Sequence, residues 1–119
     1  MDLQKKQEIL QELNDWRKGK TMAGHLEIKF TDVTDDSLTA TMPVNEKTHQ
    51  PYGILHGGAS CVLAETLGSC LSYLHVDITK NVPVGTNINS NHLRAKRDGF
   101  VTGVATFIRK GNSLHVSQI

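Results

Sequence analysis

Between Ala59 and Leu74 the chain holds its most apolar stretch, sixteen residues without a proline. That length exceeds an ordinary strand and suits a helix. At helical spacing Ala59, Leu63, Leu67, Cys70 and Leu74 fall on one continuous face. A helix this apolar needs cover over most of its surface, and whatever surrounds it in the sequence has to supply that cover.

The flanking segments read mostly as strands. Gly24–Phe30 alternates, with Leu26, Ile28 and Phe30 against His25, Glu27 and Lys29, which predicts a half-buried strand. Asp35-Asp36 predicts a turn into a second strand, Ser37–Met42, and the two make a hairpin. Asn45–Tyr52 is polar and contains Pro51, so it reads as a loop. After the helix, Val82–Leu93 is rich in β-branched residues and reads as a strand. Asp98-Gly99 marks a turn, Phe100–Ile108 another strand, Lys110-Gly111-Asn112 a second turn, and Leu114–Ile119 the start of a further strand. Residues 2–17 predict an amphipathic helix with Leu3, Leu10, Leu13 and Trp16 near one face and Gly19 as its stop. The order is helix, two strands, long apolar helix, three strands. It implies an α+β domain over 1–119, with an antiparallel sheet wrapped on one helix.

Composition excludes several classes. Thirteen Lys and Arg against twelve Asp and Glu leave a net charge of +1, and only six residues are aromatic, so nothing favours a nucleic-acid partner. No apolar run approaches the ~20 residues of a membrane span, and the N-terminus MDLQKKQEILQEL has no apolar signal core. Cys61 and Cys70 share the long helix, about 13 Å apart at its ~1.5 Å rise per residue. A disulfide needs Cα atoms within about 7 Å, so the two cannot pair within one chain. Two reduced thiols and no signal point to the cytoplasm. The six His are scattered without metal-ligand spacing, and no phosphate-loop or dinucleotide fingerprint occurs.

The segment that can carry chemistry is Gln50-Pro-Tyr-Gly-Ile-Leu-His56-Gly57-Gly58, followed by Glu65 and Ser69. Glu65 falls on the side of the helix away from Leu63, Leu67 and Leu74, among Gly58, Cys61, Val62, Gly68, Ser69 and Ser72. A carboxylate on a mostly buried helix is costly unless it is paired or used. Gly57 and Gly58 allow close approach to the first amides of the helix, which have no internal partners and can donate to a developing oxyanion. Gly58 and Glu65 lie about 10 Å apart along the axis. One carbonyl cannot touch both ends of that line, which hints that a site combines the two from different chains. Each feature has a plainer reading: a loop glycine pair, a structural ion pair for Glu65, a merely polar His56. Their joint spacing favours chemistry without naming the reaction.

The run Tyr52-Gly-Ile-Leu-His-Gly-Gly-Ala-Ser-Cys-Val-Leu-Ala-Glu-Thr-Leu-Gly-Ser resembles the signature of hotdog-fold acyl-CoA thioesterases of the 4-hydroxybenzoyl-CoA type known from Arthrobacter. It is more similar still to the 1,4-dihydroxy-2-naphthoyl-CoA thioesterases of menaquinone synthesis. The resemblance extends from about Gly24 to Ile119 and includes Asn89-Ser-Asn-His-Leu-Arg94. It implies a hotdog fold and hydrolysis of an acyl-CoA, with an aryl acyl group as first expectation. Glu65 would be nucleophile or general base, and the Gly57 amide would polarise the thioester carbonyl. His56 and Gln50 would orient the reacting groups, and Ser69 would contact the acyl part or hold water. Asn91, His92, Leu93 and Arg94, with Arg109, Lys110, Gly111 and Asn112, would line the CoA channel, unless the cations among them are only a solvated surface. The family's Glu comes from the subunit opposite the His-Gly-Gly turn, so a homo-oligomer, a dimer of dimers, is implied. Coenzyme A enters as part of the substrate, and no metal or redox cofactor is implied.

Two departures qualify the resemblance. The family usually continues some twenty residues further, so the strand begun at Leu114 is expected to be truncated here. Asn112-Ser113 also stands where relatives often place an Arg near the CoA phosphates. A non-catalytic acyl-CoA-binding module is the competing reading, and a hydratase fits less well because no Asp accompanies His56.

Overall fold

The computed structural model describes the backbone of residues 1–119 and all side chains except those of Arg17 and Lys18. The apolar stretch is α3, Gly57–Tyr73, and its stripe Ala59, Leu63, Leu67 and Leu71 is buried. The stripe follows i, i+4 spacing throughout, so Leu71 takes the core position, while Cys70 and Leu74 pack at its margin.

Four strands cover this stripe: β1 Lys29–Val33, β2 Ser37–Pro43, β3 Phe100–Lys110 and β4 His115–Gln118, in the order β1-β2-β3-β4. All neighbours are antiparallel. The expected β1–β2 hairpin forms. β2 alternates between buried and half-buried positions, with Leu38, Ala40 and Met42 inward. The sheet and helix approach closely where Ala40 lies opposite Gly103. A Cβ on Gly103 would come within 2.6 Å of Leu67 Cδ1. Glycine there lets the helix settle onto the sheet, and Leu67 is fully buried in consequence.

The first strand begins later than the alternation predicts. Met22–His25 is instead one helical turn, α2, capped by Thr21, whose side chain accepts from Gly24 N. Gly24 lies so close to Gly19 that a Cβ would overlap its backbone, and Glu27 then turns the chain at φ 59°. Local capping and a glycine contact override the alternation, which resumes only with buried Ile28 and Phe30.

The N-terminal helix, α1, spans Leu3–Asp15 and is capped by Asp2; a 3₁₀ turn, Trp16–Gly19, follows it. α1 buries Leu13 and guards the edge of the sheet. Asn14 Nδ2 donates to Phe30 O at 2.9 Å, and Phe30 N donates to Asn14 Oδ1 at 2.8 Å. This amide satisfies the outward-facing N–H and C=O of Phe30 on the edge strand, as a neighbouring strand would.

The strand expected at Val82–Leu93 does not pair within the chain. Residues 81–97 run extended across the outer side of α3, and Val82, Val84 and Leu93 remain largely exposed. Leu55 N donates to Lys96 O at 2.7 Å, and His49 Nε2 meets Arg97 O at 2.9 Å. β-Branched composition makes a segment extended, but a ladder also needs a free neighbour, and this segment lies over the helix. Among the described residues no helix is long and apolar enough to cross a membrane.

Candidate active site

His56 is the N-cap of α3. Its Nδ1 accepts from Gly58 N at 2.7 Å, and its own N donates to Thr48 O at 2.7 Å. An Nδ1 that accepts leaves the proton of the neutral ring on Nε2, which makes Nε2–H a free donor. A Cβ on Gly58 would lie 2.8 Å from that Nδ1, so the cap requires glycine at this position. With Gly58 N engaged, the Gly57 amide is the open donor of the first turn.

The ring of His92 lies beside this turn, its Nε2 3.0 Å from where a Cβ on Gly57 would stand. Ser90 Oγ is 3.2 Å from His92 Nε2 and 3.2 Å from Cys61 Sγ. The chain from Cys61 through Ser90 to His92 fixes the extended segment on the helix. Gln50 begins the tight turn that delivers His56: Gly53 N donates to its carbonyl, its own N donates to Ile54 O, and its side chain accepts from Tyr52 N. Gly53 sits at φ 74°, a conformation that favours glycine.

Glu65 stands two turns along α3, facing away from the sheet. It is exposed in the single chain rather than buried, because α3 covers only its leucine stripe and Glu65 is on the reverse side. Among the described residues the ion pairs are Met1–Asp35, Lys6–Asp32 and Lys47–Glu27, so Glu65 is not held in a structural ion pair. It borders a cleft of about 600 Å³ with Met22, Cys61, Val62, Thr66, Gly85, Thr86, Asn87 and Ile88. Apart from Glu65 the lining is uncharged. A second cleft, of about 380 Å³, shares Met22 and Val62 with the first and reaches Lys47, His49 and His56. The two clefts therefore follow α3 from its capped end to Glu65. Ser69, half-buried, lies one turn beyond Glu65.

The residues expected along a CoA channel fall into two groups. Asn91, His92, Leu93 and Arg94 lie in the extended segment near the start of α3 and are exposed. Arg109 and Lys110 end β3, followed by Gly111 and Asn112. There Lys110 Nζ stands 5.6 Å over the Phe107 ring, which is edge-on to His75, just past the end of α3. The groups sit at opposite ends of the helix, and one chain does not bring them together.

The sequence argument named Cys61 and Val62 as helical neighbours of Glu65 but did not single out Met22, Thr66, Gly85, Thr86, Asn87 or Ile88. For Gly85 the signal was a lone glycine inside a β-branched run, a pattern that marks close approach of another group. Cys70 plays no part in the cleft. Burial pushes its thiol from 9.0 to about 11, so it stays protonated and inert. Among the described residues no group of three or more His, Cys, Asp or Glu could hold a metal ion.

Residues 52–119 match the family model described as the thioesterase superfamily. The chain is 46% identical over 115 residues to the 1,4-dihydroxy-2-naphthoyl-CoA hydrolase of Escherichia coli, covering 97% of this chain and 83% of that one. It is 49% identical over 115 residues to the proofreading thioesterase EntH of Cronobacter sakazakii, with 97% and 82% covered. The crystal structure of a mutant thioesterase from Pseudomonas aeruginosa superposes with a TM-score of 0.88 at 49% identity, covering 91% of this chain and 77% of that one. With this agreement of sequence and of a sheet wrapped on one helix, the chain belongs to the thioesterase superfamily, has its hotdog fold, and is a thioester hydrolase.

Proposed function

We propose that the chain hydrolyses an acyl-CoA to a free acid and CoA, with Glu65 as the reacting carboxylate. The observation that carries this reading is a carboxylate with no ion-pair partner among the described residues, at an otherwise uncharged cleft, on the helix whose first amide is open. The Gly57 N–H and His56 Nε2–H are the donors for the thioester oxygen as it gains charge. Gln50 orients these groups through the turn before His56, and Ser69 holds the water or the acyl end.

In the general-base route Glu65 takes a proton from water, whose oxygen bonds to the thioester carbon. Collapse of the tetrahedral intermediate breaks the C–S bond, and the thiolate receives that proton. In the nucleophilic route Glu65 itself bonds to the carbon and expels CoA, and water then cleaves the acyl–Glu65 anhydride. Neither route requires a metal or redox cofactor, and coenzyme A is part of the substrate.

Gly57 and Glu65 of one chain are about 12 Å apart along the helix at ~1.5 Å per residue, whereas reacting groups must approach to about 3–3.5 Å. A second copy therefore completes the site, and we take the active form to be a homo-oligomer, a dimer of dimers. The same assembly would join the Asn91–Arg94 group of one chain to the Arg109–Asn112 group of another as one channel for CoA. It also offers cover for the exposed Val82, Val84 and Leu93. An aryl acyl group is favoured by Met22, Val62 and Ile88 on the cleft wall and by the similarity to the naphthoyl-CoA hydrolase, whose place in menaquinone synthesis this chain would share. Residues 1–119 act as one thioesterase domain, and the reduced Cys61 and Cys70 suit the cytoplasm.

Thiol release from benzoyl-, hydroxybenzoyl-, dihydroxynaphthoyl- and medium-chain acyl-CoA tests the reading, with Glu65→Ala run beside the parent. Loss of turnover by roughly 10³-fold or more in the variant is expected, as for removal of an essential catalytic group. A folded parent that binds CoA without releasing thiol would establish a binding module instead.

A further inference from the structure

Glu65 rests directly on the backbone of the extended segment. A Cβ built on Gly85 would overlap Glu65 Oε1, with Cδ at 2.9 Å and Oε2 at 3.3 Å. All three atoms of the carboxylate are thus seated over one α-carbon, in the space any other residue would fill with its side chain.

We propose that Gly85 is a positioning residue for the reaction: the bare α-carbon is the seat that sets where the Glu65 carboxylate stands. The inference rests on the reading of Glu65 as the reacting carboxylate. Two observations support it. The segment is tied to the helix and its leading turn beyond Gly85, through Ser90 to Cys61 and through Lys96 to Leu55, which limits how far it can move aside for a larger residue. Gly85 also lies outside the left-handed region, unlike Gly19, Gly53 and Gly99. An alanine there is free of backbone strain, so conformational freedom is not what the position demands. What it demands is the absence of a Cβ, and the atoms that benefit are those of Glu65.

The carboxylate and its seat come from two separated parts of the chain. The seat limits where Glu65 can rotate and holds its oxygens toward the cleft. Displacing reacting atoms by an ångström can cost on the order of 10²-fold in rate. A displaced carboxylate still leaves the Gly57 amide, His56 and the CoA contacts in place, so substrate binding survives the change.

The test is a set of variants assayed by thiol release on the best acyl-CoA of the panel, with circular dichroism and sedimentation to confirm fold and assembly. Gly85→Ala is expected to lower kcat by about 10- to 100-fold with KM nearly unchanged. Combined with Glu65→Ala it is expected to cost nothing further, because no carboxylate remains to be displaced. Glu65→Asp carries one methylene less and withdraws from the new methyl group. In that background Gly85→Ala is expected to lose several-fold less than in the parent, a compensation that a merely structural glycine would not give. An active parent whose kcat is unchanged by Gly85→Ala overturns the proposal and leaves the role of Glu65 standing. So does a loss that multiplies undiminished through the Glu65→Ala and Glu65→Asp backgrounds. A parent without any thiol release overturns the role of Glu65 and this proposal with it.

Discussion

Replacing Asn14 by Asp isolates a single proton in the fold. The amide both donates to Phe30 O, at 2.9 Å, and accepts from Phe30 N, at 2.8 Å. A carboxylate keeps the second bond and sets an acceptor against an acceptor in the first. An unsatisfied, partly buried carbonyl costs about 1–3 kcal/mol. Since the N–H bond survives and water reaches the site, a loss of about 1–2 kcal/mol at pH 7 is expected. At about 1.4 kcal/mol per pKa unit, that loss corresponds to a folded carboxyl raised by roughly one unit above its ordinary ~3.9. A group raised on folding has its full contribution below the unfolded value and loses it as pH rises through the folded one. Asn14→Asp should therefore match the parent near pH 3, where the protonated acid donates as the amide did, and fall behind it between about pH 4 and 6. Urea midpoints of both proteins between about pH 3 and 7, at one fixed protomer concentration, measure this, with amide exchange at Phe30 as a local reading. Equal midpoints at pH 7, or a deficit that persists unchanged at pH 3, would refute the reasoning.

Two further outcomes follow from buried groups. Cys70, raised from 9.0 to about 11 by burial, leaves stability untouched below pH 9. Between pH 9 and 11 the unfolded thiol ionises first, and stability falls by about 2–3 kcal/mol; Cys70→Ala should remove that part of the alkaline slope in urea titrations. Gly103→Ala pushes a methyl into Leu67 and should cost about 1–3 kcal/mol, while Leu67→Ala should cost about 2–5 kcal/mol through the cavity it leaves. The double variant should cost less than the sum, since one methyl fills part of the other's void, and additive urea data would contradict the contact.

The apolar run from Ala59 carried most of the fold, because a long helix of that kind admits few ways of being covered. The β1–β2 hairpin and the strand from Phe100 were legible for the same reason, since alternation records which face is buried. The start of β1 was not, because Thr21 and the Gly19–Gly24 contact act through geometry that alternation does not contain. Val82–Leu93 shows a different gap: composition makes it extended, but says nothing about whether an edge is free to receive it. At the site, His56, Gly57 and Glu65 stood out as chemical types at a fixed spacing. Gly85 did not, since its importance lies in a side chain twenty positions away.

The spacing of the capped turn and the carboxylate also has a meaning for symmetry. When two copies of α3 run antiparallel, with Gly57 of each opposite Glu65 of the other, the position midway between them is opposite itself. That position is Cys61, a free thiol at the wall of the cleft. In such a pair the two Cys61 residues would stand at the same level on either side of the two-fold axis, each with its thiol against Ser90 of its own chain.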